Sequence, residues 1–170
     1  MNISREHLEL LSESFRNIDE TTKEIINLEA ILSLPKGTEH FLSDIHGEYE
    51  AFDHILRNGS GVIKEKLKEV FGNRLPKKEL NLLATIIYYP EEKLNLLKKE
   101  FSTAEYKEYQ KILLLRLLEV TQVAARKYTR SKVRKLLPKD FDYIIEELLY
   151  KMQTRDKEDY YEKILENIIE

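Results

Sequence analysis

This sequence predicts a mainly α chain with one short strand, on three observations. Apolar residues recur at three- and four-residue spacing through most of the chain, the pattern of one buried helix face. Glycine and proline number only five and four in 170 residues, too few for a turn-rich β fold. One short apolar stretch, His40 to Ser43, reads as a strand.

Taken in order, Ser4 caps a first helix that carries Leu8, Leu11 and Phe15 on one stripe. Thr21-Thr22-Lys23-Glu24 has the form of a capping box, opening a second helix through Ile25, Leu28 and Ile31 to Leu34. Pro35-Lys36-Gly37 ends that helix and turns the chain into the strand. A helix from Glu48 then presents Phe52, Ile55 and Leu56, and Asn58-Gly59-Ser60-Gly61 stops it. Val62 to Phe71 forms a short helix closed by Gly72-Asn73. Pro76 and Pro90 each sit at a helix start, where a missing N–H costs little. Ile86 to Tyr89 could supply a partner strand, but it continues the helical pattern from Lys78, and the helical reading is preferred. Thr103 to about Tyr128 is the longest helix, apolar on nearly every side from Ile112 to Leu118 except at Arg116, which predicts a buried central helix. Pro138 opens another through Phe141, Ile145 and Leu149, and a last one spans Lys157 to Ile169. Tyr88, Tyr106, Tyr109, Tyr143 and Tyr161 fall on helix faces and are expected to pack.

Composition narrows the class further. At 42% hydrophobic the chain is long enough for one domain with a sizeable core. A charged fraction of 35% fits amphipathic helices with solvated faces. A net charge of −3 gives no electrostatic footprint for nucleic acid. The absence of cysteine excludes disulfides and thiolate metal sites and suits a reducing cytoplasm. No apolar run approaches membrane-spanning length, and the first twenty residues lack the apolar centre of a signal peptide.

The chemistry concentrates at Ser43-Asp44-Ile45-His46-Gly47-Glu48. Asp44 and His46 fall at the carboxyl end of the expected strand, where open α/β sheets place their ligands. Two residues apart, both side chains can point to one face. A carboxylate oxygen beside a neutral imidazole nitrogen suits Mn, Fe or Zn. Gly47 permits a tight turn and leaves room for an anion near the next helix N-terminus. The plainer alternative is a helix-capping aspartate beside a surface histidine. A second cluster runs through Arg126, Lys127, Arg130, Lys132, Arg134 and Lys135. It reads as a solvated helix end complementing the helix dipole. Phosphate groups favour arginine clusters, so Arg126 and Arg130 stand as the phosphate or effector alternative.

The run around Asp44 and His46 resembles the first metal motif of the calcineurin-like metallophosphoesterases. With Phe41-Leu42 before it, Tyr49-Glu50-Ala51-Phe52 after it and Ile55-Leu56-Arg57-Asn58-Gly59-Ser60-Gly61 beyond, it is similar to the class III fructose-1,6-bisphosphatases of low-GC Gram-positive bacteria. Leu32-Ser33-Leu34-Pro35-Lys36-Gly37-Thr38-Glu39-His40 fits the same family, as does the segment from Gln122 to Arg134. The later motifs of the superfamily, Gly-Asp-x-x-Asp-Arg-Gly and Gly-Asn-His-Glu, do not occur here, and Gly72-Asn73-Arg74 is only an echo of the second.

The resemblance therefore implies the N-terminal part of an α/β metallophosphoesterase sandwich. Residues 1–61 would begin the core, 62–170 would form a large helical segment, and the rest of the catalytic domain would lie outside these residues. It implies a metal site with Asp44 and His46 holding one ion of a Mn²⁺ pair, and the other ligands supplied by the later motifs. In the intact enzyme that site would remove the 1-phosphate of fructose 1,6-bisphosphate, a step of gluconeogenesis, with fructose 1,6-bisphosphate as the partner and a homo-oligomer left open. No catalytic residue beyond the two ligands is assigned, and the piece alone is expected to be inactive. Two other readings stay open on the sequence. One is a fragment of a protein or dinucleotide-polyphosphate phosphatase, the other a helical interaction domain with a coincidental Asp-x-His.

Overall fold

The computed structural model describes residues 3–37, 39–150 and 157–169. Among the described residues every regular element is helical, and there is no strand. No described helix is long and apolar enough to cross a membrane. The chain forms two compact units, Met1–Gly37 and Thr38–Glu170.

The first unit holds α1 (Arg5–Ser14) and α2 (Ile18–Leu32). Ser4 caps α1 as expected, its side chain accepting from the His7 N–H at 3.3 Å. The start of α2 lies earlier than the sequence suggested. Asn17 accepts from the Glu20 N–H at 2.8 Å, and Glu20 reaches back to the Arg16 N–H at 2.9 Å. Asparagine caps as well as threonine, so the helix starts at this first opportunity. Thr21 is left inside it, its hydroxyl donating to the Asn17 carbonyl. Neither helix buries a residue.

The second unit contains α3 (Tyr49–Asn58), α4 (Val62–Phe71), a 3-10 turn (Gly72–Arg74), α5 (Lys77–Tyr88), α6 (Pro90–Glu100), α7 (Thr103–Ala125), α8 (Arg130–Leu136), α9 (Asp142–Leu149) and α10 (Glu158–Ile169). Gly59 closes α3 in the left-handed region (φ +57°), which only glycine enters without steric cost. Two hydrophobic clusters share α7. Leu67, Phe71, Leu83, Ala84, Ile86, Leu97 and Leu113 form the first, from α4 to α7. Leu118, Val133, Leu148, Leu149, Tyr161 and Leu165 form the second, from α7 to α10. The long helix is central, but not buried all round: Ile112 and Leu115 stay 47% and 41% exposed. The clusters occupy two sectors of its surface and leave a third to solvent.

The basic run also differs from a simple helix end. Thr129 accepts from the Lys132 N–H and starts α8, so Arg130 to Lys135 form a short helix of their own. Pro138 does not open α9 directly; a turn joining the Phe141 N–H to the Pro138 carbonyl comes first.

Helix α7 begins in a full capping box. Ser102 accepts from the Glu105 N–H, while the Glu105 carboxylate accepts from the Ser102 N–H at 3.0 Å and from its hydroxyl at 2.6 Å. Those bonds from Ser102 hold the Glu105 carboxyl below its usual range. A depressed carboxyl adds stability above its unfolded-state pKa, and that stability is lost as pH falls through the folded-state value. Ser102→Ala is expected to cost about 1 kcal/mol at neutral pH. The deficit should shrink in acid, and urea unfolding of both chains at pH 7 and pH 3 will measure it.

Candidate metal centre

Asp44 and His46 lie on a turn, not at a strand end. Residues 39–45 are irregular, and no ladder hydrogen bond forms from them. The apolar run that suggested a strand buries little: Phe41 is 91% exposed and Leu42 41%. A single extended segment has no neighbour to satisfy its backbone, so among the described residues it remains coil.

The turn itself is tightly wound. Asp44, His46 and Gly47 all take positive φ, at +61°, +51° and +75°. The Glu48 N–H donates to the Ile45 carbonyl at 3.0 Å, the Tyr49 N–H to the Gly47 carbonyl at 2.9 Å, and the Phe52 N–H to the Glu48 carbonyl at 3.0 Å. These bonds run the turn straight into α3. Left-handed backbone is unfavourable for most residues with a Cβ, and aspartate and histidine are among the few that enter it with some regularity.

The wound backbone brings the two side chains together. His46 Nε2 lies 2.5 Å from Asp44 Oδ1, with both side chains about three-quarters exposed. A pocket of about 280 Å³ lies here, lined by the turn residues Leu42 to His46 with Glu48 and by Ala51, Phe52 and Ile55 of α3. A Cβ placed on Gly47 would meet nothing within 4 Å, so glycine is needed there for its φ and not for space. Glu48 and Glu50 bring negative charge to the start of α3. That charge suits the helix dipole and favours a cation over an anion beside the turn.

A hard oxygen and an imidazole nitrogen in contact fit part of a divalent-metal shell. No group of three or more His, Asp or Glu residues that could hold an ion exists among the described residues. The pair therefore offers two donor atoms, fewer than a divalent ion takes.

The basic run is placed elsewhere. None of its residues lines the pocket at Asp44. Arg130 sits over the Tyr150 ring at 4.4 Å, Lys132 over Tyr128 at 4.8 Å, and Arg134 makes a two-point contact with Glu146 at 2.7 and 3.2 Å. Arg126 is the C-cap of α7, exposed, and its charge helps lower the Glu69 carboxyl after the nearer Lys66.

One cluster near the site escaped the sequence reading. His54 Nδ1 and the Tyr89 hydroxyl are 2.6 Å apart, with the two rings nearly parallel. Arg57 donates to Asp53 at 2.6 Å and to the Tyr88 carbonyl at 3.2 Å, and its guanidinium lies 5.2 Å from the Tyr89 ring centre. The Asp53–Arg57 pair at i, i+4 is a legible helix contact. The partners on the α5–α6 corner are over thirty residues away, and no local pattern announces them.

Comparison with known proteins gives the turn its context. A family-wide sequence model described as Firmicute fructose-1,6-bisphosphatase matches residues 6–170. A protein of Listeria innocua named fructose-1,6-bisphosphatase class 3 is 53% identical over 99% of this chain and 26% of its own length. Proteins of the same name from Alkaliphilus metalliredigens and Fusobacterium nucleatum are 58% and 52% identical, over 96% and 99% of this chain and 24% and 26% of their own lengths. No solved structure matches the chain. The Asp-x-His turn thus sits in a phosphatase sequence context over nearly its whole length. The chain belongs to the Firmicute fructose-1,6-bisphosphatase family, and it spans about a quarter of the length of the curated relatives it matches.

Proposed function

We propose that this chain is the N-terminal portion of a class 3 fructose-1,6-bisphosphatase in which Asp44 and His46 are two ligands of a dinuclear Mn²⁺ site. The contact between Asp44 and His46, held by the left-handed turn inside a family match over residues 6–170, carries this reading. The reaction would be hydrolysis of the 1-phosphate of fructose 1,6-bisphosphate. Water oxygen bonds to phosphorus as the bond from phosphorus to the C1 oxygen breaks, giving fructose 6-phosphate and phosphate. The metal pair, when bound, supplies charge stabilisation at the phosphate and a water of lowered pKa.

This chain's part is to hold. Asp44 must be ionised and His46 neutral, with Nε2 turned to the ion. Their present contact keeps both ligand atoms at one place, and an ion that binds must displace the hydrogen bond between them together with its proton. Glu48 and Glu50 add a favourable field for a cation. Neither ligand is left to protonate the leaving sugar oxygen, so that proton must come from outside these residues. We assign the basic run to packing on the contacts of Arg130, Lys132 and Arg134. A cysteine-free chain suits a reducing compartment, and we place the enzyme in the cytoplasm.

The test compares the purified 170-residue chain with the full-length protein in saturating Mn²⁺, scoring phosphate release from fructose 1,6-bisphosphate. The full-length protein should hydrolyse it, and the 170-residue chain should not rise above background. Hydrolysis by the shorter chain that disappears in Asp44→Asn would overturn the incomplete ligand set.

A further inference from the structure

Helix α3 is poorly anchored by apolar packing. None of its side chains is buried, and none belongs to either hydrophobic cluster. Its half-buried Phe52 and Ile55 face the pocket beside the Asp44 turn, and Leu56 is mostly exposed. What joins α3 to α5 and α6 is polar and aromatic. His54 meets the Tyr89 hydroxyl and lies edge-on to Tyr88, while Arg57 reaches the Tyr88 carbonyl and the Tyr89 ring. Tyr88 is itself packed against the first cluster, so the corner they grip is firm.

A ten-residue helix is a stiff rod of about 15 Å, and here its two ends have different duties. The N-terminal end is continuous with the turn through the bonds from Glu48, Tyr49 and Phe52. The C-terminal half carries the grip. We infer that His54 and Tyr89 are positioning residues, a clamp that fixes the Asp44–His46 turn by fixing α3. Its weight for catalysis rests on the ligand reading proposed above; the coupling itself does not.

The test is amide hydrogen exchange on this chain, without metal, in four forms. Tyr89→Phe removes only the hydroxyl and keeps the ring. His54→Ala removes its partner. His54→Asn places an amide where Nδ1 stood and can still meet the hydroxyl. Exchange at the Glu48, Tyr49 and Phe52 amides should accelerate about fivefold in Tyr89→Phe and His54→Ala, the effect of one ordinary hydrogen bond. It should return toward the parent rate in His54→Asn, while amides of α7 and α9 stay unchanged throughout. Unchanged exchange at the turn overturns the clamp, as does equal acceleration in α7 and α9, which would mean general loosening. A parallel measurement of Mn²⁺ affinity in the full-length protein, by the resonance signal of the free ion, separates the two readings. Asp44→Asn with undiminished affinity would remove the ligand assignment and leave the clamp standing. A loss of affinity in Tyr89→Phe and His54→Ala, rescued in His54→Asn, supports both.

Discussion

On the ligand reading proposed above, Asp44→Asn in the full-length protein should lower fructose 1,6-bisphosphate hydrolysis about a thousandfold, the scale of losing a principal electrostatic contributor to a metal-assisted transition state. The substitution is chosen to isolate charge. Asparagine has nearly the shape of aspartate and is among the few side chains that accept the left-handed backbone found at this position. An amide oxygen can still accept from His46, so the turn should keep its form. What disappears is the anionic oxygen, the harder of the two proposed ligand atoms. His46→Ala should fall as far, since it removes the proposed nitrogen ligand outright. Phosphate release at saturating Mn²⁺, with circular dichroism to confirm intact helices, measures both. Activity within tenfold of the parent in Asp44→Asn would mean that the carboxylate is not a ligand.

The second large effect is on stability. Leu67 is fully buried, at 0% exposure, where α4 meets α5 and α7. Leu67→Ala should cost about 3 kcal/mol, from lost transfer energy and the cavity left behind. Leu96 on α6 is 53% exposed, and Leu96→Ala should stay within about 0.5 kcal/mol of the parent. Urea unfolding of the three chains checks the contrast. Equal losses at the two positions would show that the first cluster is not the centre of the unit.

Most of the helical plan was legible because its signals are local. Val62–Phe71 can be read from its apolar spacing and the glycines on either side, and α7 from Ser102 and the long periodic run that follows. Errors arose where a local signal had a competitor. Asn17 and Glu20 form as good a start as Thr21 and Glu24, and they come first. The stretch from His40 to Ser43 has strand-like residues but no partner among the described residues, and strands exist only in pairs. For the candidate site, the spacing argument placed Asp44 and His46 on one face of a strand end, whereas a left-handed turn brings them into contact. Positive φ at two non-glycine residues runs against residue preference, so pattern reading cannot anticipate it. The His54–Tyr89 contact joins residues 35 apart, and the two residues carry no shared pattern to connect them.

The wound turn has a consequence for anyone who would improve this protein. At Asp44 and His46 the backbone asks for glycine, and the chain holds an acid and an imidazole there instead. A laboratory selection for thermal resistance alone would be drawn toward glycine at both places, since the exchange relieves strain and gives up no buried packing. Its winners would be sturdier proteins stripped of the two side chains proposed here as metal ligands. Any such selection on this family therefore needs a metal-dependent readout alongside heat.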